Sequence, residues 1–257
     1  MPSPDVLRGE LTVAAGDELL VLDRVNKRFG GLKVIVDLDF AVNEHEIVGL
    51  IGPNGAGKST VFNLITAIYT PDSGSIRFRG EEIAGLAPHK ICHLGIARTY
   101  QLVRAFLKMT ALENVMTAAV YGGKGFDKGP KERAAEALEL VELTGKAGVS
   151  TKHLTLSDRR LLEIAMGLAS MPGLILLDEP MAGLTATEID HLFEVLKATQ
   201  RERGFSILWI EHKVDAVLDF CDRVGVLDYG AKIADACPDD VACDPRVIEA
   251  YLGEPAA

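Results

Sequence analysis

Residues 52–60 read Gly-Pro-Asn-Gly-Ala-Gly-Lys-Ser-Thr, a glycine-rich loop that ends in a lysine and two hydroxyl side chains. The loop follows a strand-like run at residues 46–51 and precedes a helix-like run at residues 61–65. In this order, backbone N–H groups surround a phosphate at the N-terminus of the helix. The segment therefore predicts an α/β fold in which a strand delivers a phosphate-binding loop to a helix.

The residue types of this loop suit the triphosphate of a nucleotide. Gly52, Gly55 and Gly57 allow sharp turns and a close approach to an anion, because they lack a Cβ atom. Lys58 is predicted to reach the β- and γ-phosphates, and the Ser59 hydroxyl to hold Mg²⁺. An ordinary glycine-rich turn is the alternative, which the flanking elements disfavour. The predicted nucleotide-binding residues of the loop are Gly52, Pro53, Asn54, Gly55, Ala56, Gly57, Lys58, Ser59 and Thr60.

Two adjacent carboxylates, Asp178 and Glu179, follow the apolar run at residues 174–177. At the carboxyl end of a strand near a phosphate loop, the first acid can support Mg²⁺, usually through water. The second can orient and deprotonate the attacking water. The alternative is a buried strand capped by solvated acids, but the phosphate loop in the same chain favours the catalytic interpretation.

His212 follows another buried strand-like run, residues 205–210. A single histidine after a strand more often packs in the core or lies at the surface. This strand is expected beside those that carry the phosphate loop and the acid pair, where an imidazole could donate a hydrogen bond to the γ-phosphate.

Composition and charge limit the classes of protein to which the chain can belong. The 257 residues are 48% hydrophobic and 25% charged, which is typical of a globular protein. No apolar run approaches the roughly 18 residues of a membrane helix, and the first residues lack a signal-peptide pattern, so a cytosolic location is expected. The formal net charge of −10 disfavours nucleic acid as a partner.

Strand and helix patterns alternate on both sides of a segment, residues 105–170, that lacks strand signals. This arrangement predicts an α/β core with a parallel sheet, interrupted by a mainly helical insert. The predicted parts are an N-terminal tail at 1–18, a nucleotide-binding core at 19–100 and 171–257, and a helical subdomain at 101–170.

With the phosphate loop, the acid pair and the late histidine in this order, the chain resembles an ABC-transporter ATPase subunit from about Leu20 to Gly253. The resemblance implies a P-loop NTPase (RecA-like) core, an antiparallel N-terminal β part and a helical subdomain. It implies that Phe29 stacks on adenine and that Gln101 senses Mg²⁺ and water at a groove where a permease docks, lined by residues 104–114. The implied catalytic residues are Glu179, His212 and Gln101, and the implied metal residues are Ser59, Gln101 and Asp178.

The LSGGQ signature of the family is altered in this chain. The family-like run at residues 162–165 sets the register, and counting back without gaps assigns the signature to Leu154, Thr155, Leu156, Ser157 and Asp158. A match at residues 156–160 would require a two-residue deletion.

In the family, the signature faces the ATP of a partner subunit. Thr155 keeps the hydroxyl for the γ-phosphate. Ser157 and Asp158 replace Gly and Gln, and Arg159 and Arg160 are expected to offset the added negative charge. The change should therefore weaken the partner's ATP site.

Strings at residues 49–55, 62–66, 97–101 and 247–253 are similar to the ATPases of bacterial branched-chain amino acid importers, and urea and aromatic-acid importers share them. The resemblance implies ATP and Mg²⁺ as cofactors and integral-membrane permeases as partners. It also implies a second ATPase subunit in a hetero- or homodimer and, indirectly, a periplasmic solute-binding protein. The subunit is expected to be peripheral, at the cytoplasmic face of the inner membrane.

In this interpretation, ATP-driven closure of two ATPase subunits moves the permeases, and hydrolysis resets them. Two alternatives stay open at this point. One is a catalytically weak or regulatory subunit in a heterodimer, suggested by the altered signature. The other is a soluble, non-transport ABC ATPase.

Overall fold

A computed structural model of the chain describes residues 18–101, 104–122 and 127–252. The strands within these residues are β1 (Glu18–Phe29), β2 (Leu32–Asn43), β3 (Ile47–Ile51), β4 (Ser73–Phe78), β5 (Glu81–Glu82), β6 (Ile96–Arg98), β7 (Leu174–Asp178), β8 (Ser206–Ile210), β9 (Arg223–Asp228) and β10 (Ala231–Ala236). The α-helices are α1 (Lys58–Ile65), α2 (Pro88–Leu94), α3 (Ala111–Tyr121), α4 (Pro130–Leu140), α5 (Leu156–Ala169), α6 (Ala186–Arg203), α7 (Val214–Phe220), α8 (Pro238–Cys243) and α9 (Pro245–Leu252).

A six-stranded sheet forms the centre of the molecule, in the order β10-β9-β3-β8-β7-β6. The strands from β9 to β6 are parallel, and only β10 is antiparallel, at one edge. Every residue of β3, β7 and β8 is buried, as expected of parallel strands covered on both faces. The carboxyl ends of β3, β8, β7 and β6 therefore meet at one edge of the sheet, where ligands bind in such folds.

A second, antiparallel sheet in the order β2-β1-β4-β5 covers one face of the first. Its buried side chains, such as Leu20 and Phe40, join Val48 and Leu50 of β3 in one apolar cluster. Ile47 and Ile51 point to the other face and belong to a second cluster formed with the helices. The predicted α/β core with a parallel sheet and an antiparallel N-terminal part is confirmed.

Helices α3, α4 and α5 pack on one another between β6 and β7. Helix α5 begins at Leu156, because Thr155 acts as the N-cap and its hydroxyl accepts from the Asp158 N–H. Six short elements were not predicted: α2, β5, β6, α8, α9 and β10. The division into core and helical subdomain stays a prediction.

Several predicted features lie outside the described residues. These are residues 1–17 of the tail, residues 102–103 and 123–126 of the predicted helical subdomain, and residues 253–257 of the predicted core. Within the described ranges, no helix combines the length and the apolar character needed to cross a lipid bilayer.

Candidate functional site

The loop between β3 and α1 has a backbone that requires glycine at two positions. Gly52 has φ +149°, and a Cβ there would lie 2.1 Å from the Leu227 carbonyl oxygen. Gly57 has φ +105° and is the N-cap of α1, and a Cβ there would lie 2.8 Å from the Val34 carbonyl oxygen. The loop is thus held closely between β2 and β9, and its N–H groups lead directly into the first turn of α1.

Lys58, the first residue of α1, is folded back over this loop. Its Nζ donates to the carbonyl oxygens of Gly52 at 2.5 Å and of Pro53 at 3.0 Å. Burial lowers the pKa of Lys58, and the nearby Glu179 carboxylate opposes this shift. A phosphate can replace the two neutral carbonyls as a stronger acceptor for this ammonium.

A cavity of about 270 Å³ lies over the loop and α1. Its lining includes His212, which comes from the end of β8, and Val34 of β2, which was not singled out from the sequence because nothing marks an isolated valine in a strand. The loop residues that line it are Asn54, Gly55, Ala56, Gly57, Lys58, Ser59 and Thr60.

Three residues predicted to be catalytic come together at the carboxyl edge of the sheet. The Nε2 atom of His212 lies 2.7 Å from Oε1 of Glu179. The Nε2 amide of Gln101 donates to Oε2 of the same carboxylate, also at 2.7 Å. Glu179 has φ +48°, a backbone conformation that is uncommon for a non-glycine residue. Both oxygens of the candidate base therefore have a protein hydrogen-bond partner.

Asp178 occupies the last position of β7 and is buried. The Nη2 atom of Arg98 donates to its Oδ2 at 2.7 Å. Arg98 was not identified from the sequence, because the two residues lie 80 positions apart and nothing local marks the arginine.

The oxygens available near this edge fit a hard cation. Ser59 offers a hydroxyl, Asp178 a carboxylate and Gln101 an amide oxygen, which are ligand types that Mg²⁺ prefers. Within the described ranges, no group of three or more His, Cys, Asp or Glu side chains could hold a metal ion. These three protein oxygens therefore suit a Mg²⁺ ion whose remaining ligands are phosphate oxygens of a nucleotide and water.

Glu211 lies beneath the catalytic edge and was not predicted to have a role. Its buried carboxylate accepts from the backbone N–H groups of His212 at 2.9 Å and of Met181 at 3.2 Å. Burial raises the pKa of Glu211, while these two hydrogen bonds lower it. The side chain connects the end of β8 with the segment that follows Glu179.

Phe29 lies at the end of β1 with its ring 41% exposed. It makes an edge contact with Tyr69, at a centroid distance of 5.0 Å, and the Lys27 Nζ lies 5.5 Å from its ring centre. Phe29 does not line the cavity over the phosphate loop. The stacking of Phe29 on adenine therefore stays a prediction.

The altered signature forms the beginning of α5. Thr155 is exposed, and Leu156 lies close to Gly183 in the segment after Glu179. Asp158 is buried, and its carboxylate accepts from Lys146 Nζ at 2.6 and 2.7 Å. Burial alone would raise the pKa of Asp158, but the hydrogen bonds from Lys146 and Thr155 outweigh burial and hold it below its usual value.

The positive partner of Asp158 is thus Lys146, and the expectation that Arg159 and Arg160 offset its charge is wrong. Arg159 donates to the carbonyls of Thr151 and Lys152, and Arg160 to those of Tyr100 and Gln101.

Comparison with known proteins decides the family. A family model described as ABC transporter matches residues 35–182, which is more than half of the chain. The chain belongs to the ABC transporter family. Membership confirms the resemblance drawn from the motifs and makes this chain an ATP-binding ATPase subunit. A second family model, described as branched-chain amino acid ATP-binding cassette transporter, matches residues 231–257.

Individual relatives of this ABC subunit match over nearly their whole length. The high-affinity branched-chain amino acid transport ATP-binding protein BraF of Pseudomonas aeruginosa is 39% identical, over 92% of this chain and 98% of that protein. LivG of Escherichia coli, which carries the same description, is 37% identical over the same shares. A crystal structure of the ADP conformation of MJ1267, an ATP-binding cassette of an ABC transporter, is 31% identical with a TM-score of 0.83, and covers 92% of this chain and 99% of that one.

Proposed function

We propose that this chain is the ATP-hydrolysing subunit of an ABC importer for branched-chain amino acids or related small solutes. The assignment of ATP hydrolysis rests on the Glu179 carboxylate, which His212 and Gln101 hold beside the phosphate loop. The solute class is supported by the names of the relatives and by the family model that matches residues 231–257.

In this proposal, the phosphate loop and Lys58 bind the triphosphate, and Phe29 stacks on the adenine. Lys58 exchanges its two neutral carbonyl acceptors for charged phosphate oxygens when nucleotide binds, which gives its ammonium stronger hydrogen bonds. Nucleotide contacts are assigned to Phe29, Gly52, Pro53, Asn54, Gly55, Ala56, Gly57, Lys58, Ser59 and Thr60.

Glu179 acts as the general base that orients and deprotonates water for attack on the γ-phosphate. His212 then donates to the γ-phosphate, and Gln101 connects the attacking water with the metal. Ser59, Asp178 and Gln101 are assigned to Mg²⁺, which supplies charge neutralisation at the β- and γ-phosphates when it is bound.

We infer that ATP binds between two ATPase subunits, so that Thr155 and the N-terminus of α5 face the nucleotide of the partner. Their exposure is consistent with this role. The helical subdomain, residues 101–170, then presents the signature, while residues 19–100 and 171–257 bind nucleotide.

The proposed docking groove for the permease follows Gln101. Its segment 104–114 exposes Phe106, Leu107 and Met109, with 52%, 50% and 38% of their surfaces accessible. Three large apolar side chains in one exposed segment suit a protein partner. Docking there would hold the subunit at the cytoplasmic face of the inner membrane, with a periplasmic solute-binding protein as an indirect partner.

Co-purification from the native host tests the partnership. The tagged chain, recovered from gently solubilised membranes, is expected to carry two permeases and a second ATPase subunit. Phe106→Asp should lose the permeases and keep nucleotide binding. Val120→Asp, a control at an exposed apolar position of α3 beyond the groove segment, should keep both. Recovery of the wild-type chain without membrane proteins would contradict the proposal.

Two other functions are less favoured. Because Glu179 and His212 are both present and in contact, nothing at this subunit's own site suggests a regulatory, weakly catalytic role. The relatives described above are named as transport proteins, which disfavours a soluble non-transport ATPase.

A further inference from the structure

Arg98, the last residue of β6, has a buried side chain at the centre of the site. The accessible fractions of the Arg98 and Asp178 side chains are 7% and 9%, and their ion pair at 2.7 Å is therefore almost fully removed from water. The next residue, Thr99, accepts the backbone N–H of Asp178 through its hydroxyl at 3.3 Å. The end of β6 thus holds Asp178 both by its backbone and by its carboxylate.

The same guanidinium also contacts the helix that begins in the phosphate loop. Its Nη1 donates to Asn63 Oδ1 at 2.8 Å and lies 3.3 Å from Thr66 Oγ1, both on or just after α1. Ser59, assigned to the metal, lies one turn before Asn63 on that helix. One rigid planar group therefore connects two of the elements that carry the proposed metal ligands.

Only an arginine can make this connection. The guanidinium presents donors in a fixed fork, whereas a lysine ammonium is a compact point charge on a flexible stem. The fork is held in place by two aromatic rings, because the Arg98 Cζ atom lies 5.3 Å from the ring centre of Phe62 and 4.9 Å from that of Tyr100. The charge of Arg98 could be supplied by lysine, but the simultaneous contact with Asn63 and Asp178 could not.

We propose that Arg98 is a positioning residue that orients the Asp178 carboxylate toward the Mg²⁺ of the nucleotide, an inference that rests on the proposed function. The guanidinium occupies Oδ2 of Asp178, and no donor from the described ranges contacts Oδ1. This arrangement reserves one carboxylate oxygen for the metal or its water. Mutation of a group that orients a metal ligand commonly lowers metal affinity by about 10- to 100-fold.

The competing explanation is that Arg98 only neutralises a buried carboxylate. A buried charge without its partner is strongly destabilising, so a loss of stability in Arg98→Met would fit both explanations. Arg98→Lys separates them, because it keeps the charge and loses the fork. Arg223→Lys is the matched control: Arg223 pairs with the Glu46 and Asp235 carboxylates, is largely buried, and belongs to β9 away from the catalytic edge.

The experiment measures metal binding directly on the full chain. Mn²⁺ affinity is determined by electron paramagnetic resonance at saturating ATP, and metal-free nucleotide affinity by a fluorescent ATP analogue in EDTA. In Arg98→Lys, the Mn²⁺ dissociation constant is expected to rise by about tenfold or more. Its metal-free nucleotide affinity should stay at the wild-type value. Arg223→Lys should change neither affinity, although its melting temperature falls.

A double-mutant cycle assigns the effect to the carboxylate. In an Asp178→Asn background, Arg98→Lys should cause no further loss of Mn²⁺ affinity, because the group that it orients is gone. Unchanged Mn²⁺ binding in Arg98→Lys would overturn the inference, as would an equal loss of metal-free nucleotide binding. A wild-type chain that binds neither ATP nor Mn²⁺ with ATP would instead contradict the proposed function.

Discussion

Both carboxylate oxygens of Glu179 contact side chains that follow other strands, His212 after β8 and Gln101 after β6. These contacts orient the group, since each oxygen can still accept a further hydrogen bond from water. This arrangement suits a general base that must be oriented toward one water molecule. The chemical role of Glu179 can be tested by removing only the charge of its side chain.

Glu179→Gln is expected to lower ATP turnover by about 10²- to 10⁴-fold, because glutamine can orient water but cannot accept its proton. Nucleotide affinity should not fall, since the phosphate loop is unchanged. Phosphate release and binding of a fluorescent ATP analogue measure the two quantities. Glu194→Gln, at an exposed position of α6, is the control. Turnover by Glu179→Gln at the wild-type rate would remove Glu179 from the base role.

The altered signature gives a second prediction at this scale, for the assembled complex. Ser157→Gly together with Asp158→Gln should raise hydrolysis several-fold, because the first change lets the backbone approach a phosphate more closely. The second change leaves the Lys146 ammonium without its carboxylate and free to attract that phosphate. Steady-state phosphate release compares the variant with Glu139→Gln, an exposed acid on α4. No increase would sink this explanation of the signature.

Sequence reasoning placed Glu179, His212 and Gln101 in one site, although Gln101 and Glu179 lie 78 positions apart. His212 was placed beside Glu179 because residues after neighbouring parallel strands meet at one sheet edge. Gln101 was placed there by the resemblance to the family. Arg98, Lys146 and Glu211 were not identified from the sequence. Their roles depend on tertiary contacts, and a single arginine, lysine or glutamate has no local sequence pattern that distinguishes it from a surface charge.

Three helices of the chain begin with the same device. Thr110, Thr155 and Thr185 are the N-caps of α3, α5 and α6, and each forms a capping box with an acid three residues later. At Thr185, the hydroxyl provides the cap that an Asp carboxylate could also provide, without adding a charge at the start of α6.

Thr185→Ala is expected to destabilise the protein by about 1 kcal/mol through the loss of the cap on α6. For a chain of this size, the melting temperature should fall by about 2–4 °C. Thr187→Ala is the matched control, because Thr187 is exposed inside the same helix and alanine favours a helix interior. Thermal unfolding followed by circular dichroism measures both. Equal melting temperatures for the two variants would show that the cap contributes nothing.

Long periodic elements such as α6 and the all-apolar strands β7 and β8 could be predicted from the sequence. The elements that were missed are short: β6 has three residues and α8 has six. Three residues are less than two periods of a strand pattern, and six residues are less than two turns of a helix, so the structure of these segments depends on tertiary contacts.

At the scale of the whole molecule, the proposal that the signature faces the nucleotide of a partner predicts that ATP brings two subunits together. With Mg²⁺ and ATP, Glu179→Gln should double in mass by light scattering, either alone or with the second ATPase subunit. The reason is that closure is retained while hydrolysis, which would reopen the pair, is blocked. The double variant Lys58→Ala, Glu179→Gln should stay monomeric. Equal masses for the two variants would argue against ATP-driven closure.

The Arg98–Asp178 pair has a consequence for how the protein matures. If the buried Asp178 carboxylate were neutralised only by a bound metal, newly synthesised chains would need magnesium to fold, as do domains whose core is a metal site. Here the chain carries its own counter-charge, so folding can finish before any nucleotide arrives.

In the absence of ATP, the melting temperature in excess EDTA should therefore equal that in Mg²⁺ within about 1 °C. A large fall in EDTA would mean that the metal also belongs to the fold. Without such a fall, synthesis and assembly of the subunit are independent of the ion that its chemistry later uses.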